Sequence, residues 1–293
     1  MTAAPFSAVF FEGRFVAASE RESASIPVTD RGYLLGEGVF ATLRGYHGTC
    51  FRPLRHLEVL ARGAHAFGMA LPMSLERLAE LADEAAVLTH AADAYVRVTL
   101  ARGADETRPV LSLLARGFDV PPDDAYAYGI PVTVVSTRRI PPACMDPSVK
   151  TTSYAPSVLA RREAGLRGAR DGIQLAIDGS VACGTMANIF VVIGNLLLTP
   201  STATGCRAGI TRQALFEVAA REGVEVRESH IDPSTLLEAD EAFFTSTRVE
   251  CLPIASVDGR LIGRSHYPRT AALRAGLRRL VREETLARRA RLG

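Results

Sequence analysis

Apolar and polar residues alternate about Glu12-Gly13 in AVFFEGRFV, which predicts a hairpin near the start of the chain. Residues 39–46 and 49–51 alternate in the same way around His47-Gly48 and predict a second strand pair. The period then lengthens. Residues 55–67 predict a helix, and Ser74, a good N-cap, opens another that places Leu75, Leu78, Leu81 and Ala85 on one face. Strand alternation returns at 95–102 and 110–114.

The segment GFDVPPDDAYAYG, residues 117–129, is rich in Pro, Gly and Asp and marks the best domain boundary. It divides the chain into an N-terminal domain, 1–118, a linker, 119–130, and a C-terminal domain, 131–293, that carries Lys150. Beyond the linker the pattern predicts a strand in IPVTVVSTRRI, a helix over 157–166, strands over 174–177 and 188–193, and a turn at Gly194-Asn195 into 196–199. A helix from Thr211 to Gly223, a strand over 224–228, a short helix after Pro233, strands at 242–245 and 254–257, and a long C-terminal helix complete the set. Strands and helices cluster rather than alternate strictly, so two α+β domains fit better than one doubly wound sheet.

Composition narrows the function classes. The 293 residues are 47% hydrophobic with a formal charge of +2, enough apolar content for packed cores and too little charge to attract nucleic acid. The arginines of the last helix read as a solvated face. No run of about 18 apolar residues could cross a membrane, and no basic-then-apolar leader opens the chain, which fits a cytoplasmic protein. Five scattered cysteines with no CxxC pair, and six dispersed histidines, argue for reduced thiols and against a metal centre. One count stands out: of 34 basic residues, 33 are arginine and one, Lys150, is lysine. Arginine stays protonated, whereas a desolvated lysine can lose its proton and attack a carbonyl.

Three stretches carry the candidate chemistry. SVKTTSYAPSVLARREAGLRGARDGIQLAIDGSVACGTMANIFVV, residues 148–192, puts Lys150 before a helix and a strand pair ending at Gly184-Thr185. AGITRQAL, 208–215, places Gly209, Ile210 and Thr211 at a helix start, where free N–H groups and the helix dipole bind anions. EADEAFFTSTRVECLPI, 238–254, ends a strand in three hydroxyls, Thr245-Ser246-Thr247. Each has a plain structural reading as well, a helix cap or a strand end. RGYLLGEG, 31–38, has no following lysine and is no phosphate loop, and no GxSxG elbow occurs.

Together with DRGYLLGEGVFATLRGYHGTCFRPLRHLEVL, residues 30–60, these stretches resemble the fold-type IV pyridoxal phosphate enzymes, which include branched-chain aminotransferases, D-amino acid aminotransferases and aminodeoxychorismate lyases. The resemblance runs from about residue 8 to residue 270 and implies a two-domain α+β fold with the cofactor in a cleft between the domains. It makes Lys150 the Schiff-base lysine and general acid/base, and Tyr154 the partner of the cofactor's phenolic oxygen. It makes Gly209, Ile210, Thr211 and Thr247 the phosphate side, and Phe40, Tyr95 and Arg97 the substrate side; Arg97 also reads as a strand arginine facing solvent. A small amino acid and 2-keto acid pair, branched-chain-like, and a homodimer are further implications.

Two positions depart from the family. Cys183 stands where members carry the glutamate that pairs with the pyridine nitrogen, so the ring would tend to be neutral and a weaker electron sink. Val59 stands where the segment His-x-x-Arg-Leu supplies a cation to the phosphate, a loss worth about 1–3 kcal/mol unless Arg52, Arg55 or Arg62 compensates. Leu35 and Ala41 replace a common tyrosine and glutamate. An aminotransferase, a lyase of the aminodeoxychorismate type, and a repurposed member that no longer uses the cofactor therefore all remain open.

Overall fold

In a computed structural model the described residues are 6–105, 107–263 and 266–292. They fall into two compact units: Met1–Asp119 with Ser148–Ser153 and Val281–Gly293, and Val120–Pro147 with Tyr154–Leu280.

The first unit holds β1 (Ala8–Phe11), β2 (Arg14–Phe15), α1 (Arg31–Leu35), β3 (Gly38–Tyr46), β4 (Thr49–Cys50), α2 (Pro53–Ala66), α3 (Leu75–Val87), β5 (Asp93–Ala101) and β6 (Val110–Gly117). Its six strands form a sheet in the order β2-β1-β6-β5-β3-β4, antiparallel at every pairing. Strict alternation along β5 buries Ala94, Val96, Val98 and Leu100 and leaves Tyr95, Arg97 and Thr99 half-buried on the other face. The buried set packs with Leu57, Leu60 and Ala64 of α2 and Leu78, Ala82 and Ala85 of α3 in one core. Each fully buried leucine there contributes about 1.5–3 kcal/mol. Pro53 suits the first turn of α2, and Ser74 caps α3 by accepting from the Arg77 N–H at 3.2 Å.

The second unit holds α4 (Asp123–Tyr128), β7 (Ile130–Val134), α5 (Ala155–Leu166), β8 (Asp171–Leu175), β9 (Val181–Gly184), β10 (Asn188–Ile193), β11 (Leu196–Pro200), α6 (Ile210–Arg221), β12 (Glu225–Ser229), α7 (Pro233–Leu237), β13 (Glu241–Ser246), β14 (Glu250–Val257) and β15 (Arg260–Leu261). The last helix, α8 (Pro268–Leu292), contributes its first half to this unit and its second half to the other. The sheet runs β12-β11-β10-β13-β14-β7-β8-β9, with β15 on β14. One of its faces buries Ile173, Val181, Ile189, Val191, Phe244 and Ile254 in a single core. The fold is α+β in two parts, as the clustering of strands and helices predicts.

Two features differ from the division read in the sequence. The 119–130 segment is no structureless linker: Asp123–Tyr128 is helical and Ile130 already opens β7. Lys150, placed by sequence with the C-terminal domain, packs with the first unit. The physical reason is backbone pairing. The Phe40 N–H donates to the Lys150 carbonyl at 3.0 Å, the Thr152 N–H donates to the Gly38 carbonyl at 2.8 Å, and Val39 bridges Thr151. Thr152 Oγ1 also donates to the Gly36 carbonyl at 2.9 Å. A six-residue stretch of later sequence is thus laced onto the start of β3, which no local pattern announces.

Candidate active site

The first unit gathers the sequence-singled residues around one ring. Arg97 Cζ lies 3.7 Å from the centroid of the Phe40 ring, and Lys150 Nζ lies 4.7 Å from it. A cation over an aromatic face is worth about 0.5–2 kcal/mol, so Phe40 orients both. Arg97 Nε donates to Thr99 Oγ1 at 3.1 Å. Tyr95 is on the same face of β5, two residues away, packed among Phe6, Phe118 and Arg116. Buried behind this face, on α2, is His56. Burial, with help from the charges of Lys150 and Arg52, lowers its pKa to about 3, so its imidazole is neutral at ordinary pH.

The three arginines near Val59 in sequence are placed differently. Arg52 is gripped by both carboxylate oxygens of Glu284, at 3.1 and 3.0 Å from Nε. Arg55 is exposed and pairs with Glu58 at 3.3 Å. Arg62 is exposed.

The second unit presents a helix start, and Gly209 is the residue before α6. A Cβ at Gly209 would fall 2.4 Å from Asn188 Oδ1, so only glycine lets the chain come this close. Asn188 is itself pinned, its Nδ2 donating to the Arg207 carbonyl at 2.7 Å. Ile210 and Thr211 are buried in the first turn of α6, where backbone N–H groups lack helical acceptors. Directly across the ladder from Asn188 stands Thr245, fully buried, whose Oγ1 has no hydrogen-bond partner among the described residues. Leaving such a group unpaired costs about 1–3 kcal/mol. Thr247 sits half-buried in the turn after β13, beside Ser246, whose Oγ accepts from the Arg248 and Val249 N–H groups.

Elsewhere in the second unit, Tyr154 stands half-buried just ahead of α5, and Cys183 is buried on β9. Burial pushes the Cys183 thiol up to about 12, against the lowering effect of Arg139, so it is a neutral S–H. Among the described residues no group of three or more His, Cys, Asp or Glu is placed to hold a metal ion, and no helix is long and apolar enough to cross a membrane.

Each unit therefore presents its own set of polar groups. In the second unit the α6 start offers unpaired N–H donors beside a close glycine, and Thr245 an orphaned hydroxyl; in the first unit Lys150 is an amine fixed beside an aromatic face. Cys183, which the resemblance sets against the ring nitrogen, carries no carboxylate. The sequence reading picked out Thr245 as one of three clustered hydroxyls but not Asn188 or His56. Only strand register and helix packing bring them forward, and neither leaves a local signal.

The architecture is a two-part α+β scaffold, and comparison gives the family. A model of class IV amino-transferases matches residues 38–257. A putative branched-chain-amino-acid aminotransferase of Methanocaldococcus jannaschii is 32% identical over 87% of this chain and 89% of its own length. An aminodeoxychorismate lyase of Bacillus subtilis is 29% identical over 90% and 92%. Among solved structures, a branched-chain aminotransferase of Thermoproteus uzoniensis with norvaline superposes with a TM-score of 0.85 at 30% identity, covering 94% and 95% of the two chains. The chain belongs to the class IV aminotransferase family.

Proposed function

We propose that this protein is a pyridoxal phosphate-dependent aminotransferase that exchanges the amino group of a small, branched-chain-like amino acid with a 2-keto acid through Lys150. The observation that carries the reading is the fixing of the chain's one lysine beside Phe40 and Arg97. Pyridoxal phosphate, when bound, supplies an aldehyde and an electron-withdrawing ring.

The rest is the work of this chain's residues. Lys150 Nζ would hold the cofactor and, as a free amine, would carry a proton to and from the substrate's α-carbon. Arg97 pairs with the substrate carboxylate, and the Phe40 ring with Tyr95 lines the side-chain pocket. The backbone N–H groups of Ile210 and Thr211, the Thr211 and Thr247 hydroxyls, and the close approach allowed by Gly209 hold the phosphate. Tyr154 would donate to the phenolic oxygen, and Cys183 would face the ring nitrogen. A homodimer goes with the reading, supported by the exposed apolar run Tyr33, Leu34 and Leu35 that a second copy would cover.

Branched-chain substrates are favoured because the M. jannaschii relative and the T. uzoniensis structure both carry that name. Supplying the protein and pyridoxal phosphate with 2-oxoglutarate and, in turn, leucine, valine, D-alanine or aminodeoxychorismate tests the assignment. The keto acids of leucine and valine are the expected products. Pyruvate released from aminodeoxychorismate alone would make it a lyase. No product from any donor would favour a family member that has given up the cofactor, a reading that Cys183 and Val59 keep specific.

A further inference from the structure

A polar group in the second unit has no part in the chemistry above. Gln174 on β8 lies directly across the ladder from Cys183 on β9, so the two side chains share a face of the sheet. Its neighbours Ile173 and Leu175 turn the other way, into the core. Gln174 is 1% exposed. Its Nε2 donates to the Thr137 carbonyl at 3.3 Å. That bond fixes the carboxamide: a carbonyl accepts only from the nitrogen end, so Oε1 points away. Oε1 is buried and has no hydrogen-bond partner among the described residues. Native structures seldom leave an acceptor in that state without a use for it.

The group beside it narrows the use. Cys183 is held neutral by burial and offers no negative charge. The fixed acceptor on this face is therefore the Gln174 oxygen, which calls for a ligand N–H or O–H. The resemblance implies that Cys183 takes the ring-nitrogen position, so the inference rests on the cofactor reading above. We propose that Gln174 is a cofactor-contacting residue whose Oε1 accepts the N–H of the heteroaromatic ring, a neutral amide in place of the family's carboxylate. The arrangement is a paired exchange across two strands: the carboxylate is gone from β9, and an amide oxygen is supplied from β8. A neutral acceptor favours the ring's N–H form without an ion pair, so it grips the nitrogen less strongly than a carboxylate does.

The experiment is calorimetric titration of the full chain with two ligands. One is pyridoxamine 5′-phosphate, which cannot condense with Lys150; the other is its analogue with a ring C–H in place of the nitrogen. The wild type is expected to prefer the nitrogen ligand by about tenfold. Gln174→Leu and the near-isosteric Gln174→Met should lose that preference while binding the C–H analogue as the wild type does. Gln174→Glu should widen it. Retained preference in Gln174→Leu and Gln174→Met, or an equal loss of both ligands, would overturn the proposal, the latter leaving Gln174 only a structural role. Equal wild-type affinity for both ligands would overturn it and leave the cofactor reading standing. Binding of neither by the wild type would overturn both.

Discussion

Lys150 and the start of α6 are polar sites prepared by opposite means. Around Lys150 the first unit concentrates positive charge: Arg97 and Lys150 share the Phe40 ring, Arg52 is locked to Glu284, and His56 is kept neutral by burial and those charges. Around α6 the second unit uses uncharged groups: first-turn N–H donors, the Thr211 side chain, a buried Thr245 hydroxyl, and a glycine that lets Asn188 approach. An amine that must lose its proton is served by a crowd of cations. An anion that must stay put is served by fixed dipoles, which cost nothing to reorient. On the proposed function, with valine at residue 59 where the resemblance expects an arginine, the phosphate would rest on these dipoles.

The largest break in this comparison is Lys150→Arg. It keeps a cation on Phe40 and removes an amine that can deprotonate, so amino transfer should fall by about 100- to 10 000-fold in a steady-state assay. Activity within tenfold of wild type would show that the charge, and not the amine, matters there.

Next comes the pH response of the first unit. The folded pKa of His56, about 3, lies below its ordinary value of about 6.5. The unfolded chain therefore takes up the proton first as pH falls. The stability due to neutral His56 is complete above about 6.5 and is lost as pH drops towards 3, by up to about 4 kcal/mol. Urea midpoints of wild type and His56→Gln between pH 7 and pH 4 should converge. Parallel curves would mean that His56 is not held neutral.

Two smaller effects belong to the second unit. Gly209→Ala drives a methyl onto Asn188 Oδ1 and should cost about 1–3 kcal/mol in thermal or urea unfolding, with part of the loss recovered by Asn188→Ala in the double variant. Additive losses would mean that the two do not press on each other. Thr245→Val removes an orphaned hydroxyl and should stabilise the free protein by about 1 kcal/mol while weakening phosphate-ester binding. A loss in both would assign Thr245 an unseen structural bond.

Much of this was legible in the sequence, for physical reasons that also mark its limits. Period-two and period-3.6 patterns depend on neighbours in the chain, so β5, α2, α3 and α6 could be read directly. Lys150 was conspicuous because arginine had taken every other basic position. Its attachment to the first unit was not legible, because a bridge between Val39 and Thr151 joins residues more than a hundred positions apart. The same holds for Gln174 opposite Cys183 and Asn188 beneath Gly209: register and close approach are properties of the folded chain, and glutamine in GIQLAI carries no local sign of an unpaired oxygen. The two units divide at Asp119 and Val120, inside the Pro- and Gly-rich 117–129 segment, which also holds the short helix Asp123–Tyr128 between Pro122 and Gly129.

The most direct test of the central claim uses the single lysine. The protein is incubated with pyridoxal phosphate, reduced with borohydride and cleaved after arginine, and the peptides are weighed. The account expects a stoichiometric cofactor adduct on the peptide spanning residues 140–161, which contains Lys150. An unmodified 140–161 peptide, with label absent or confined to the N-terminal amine, would contradict it.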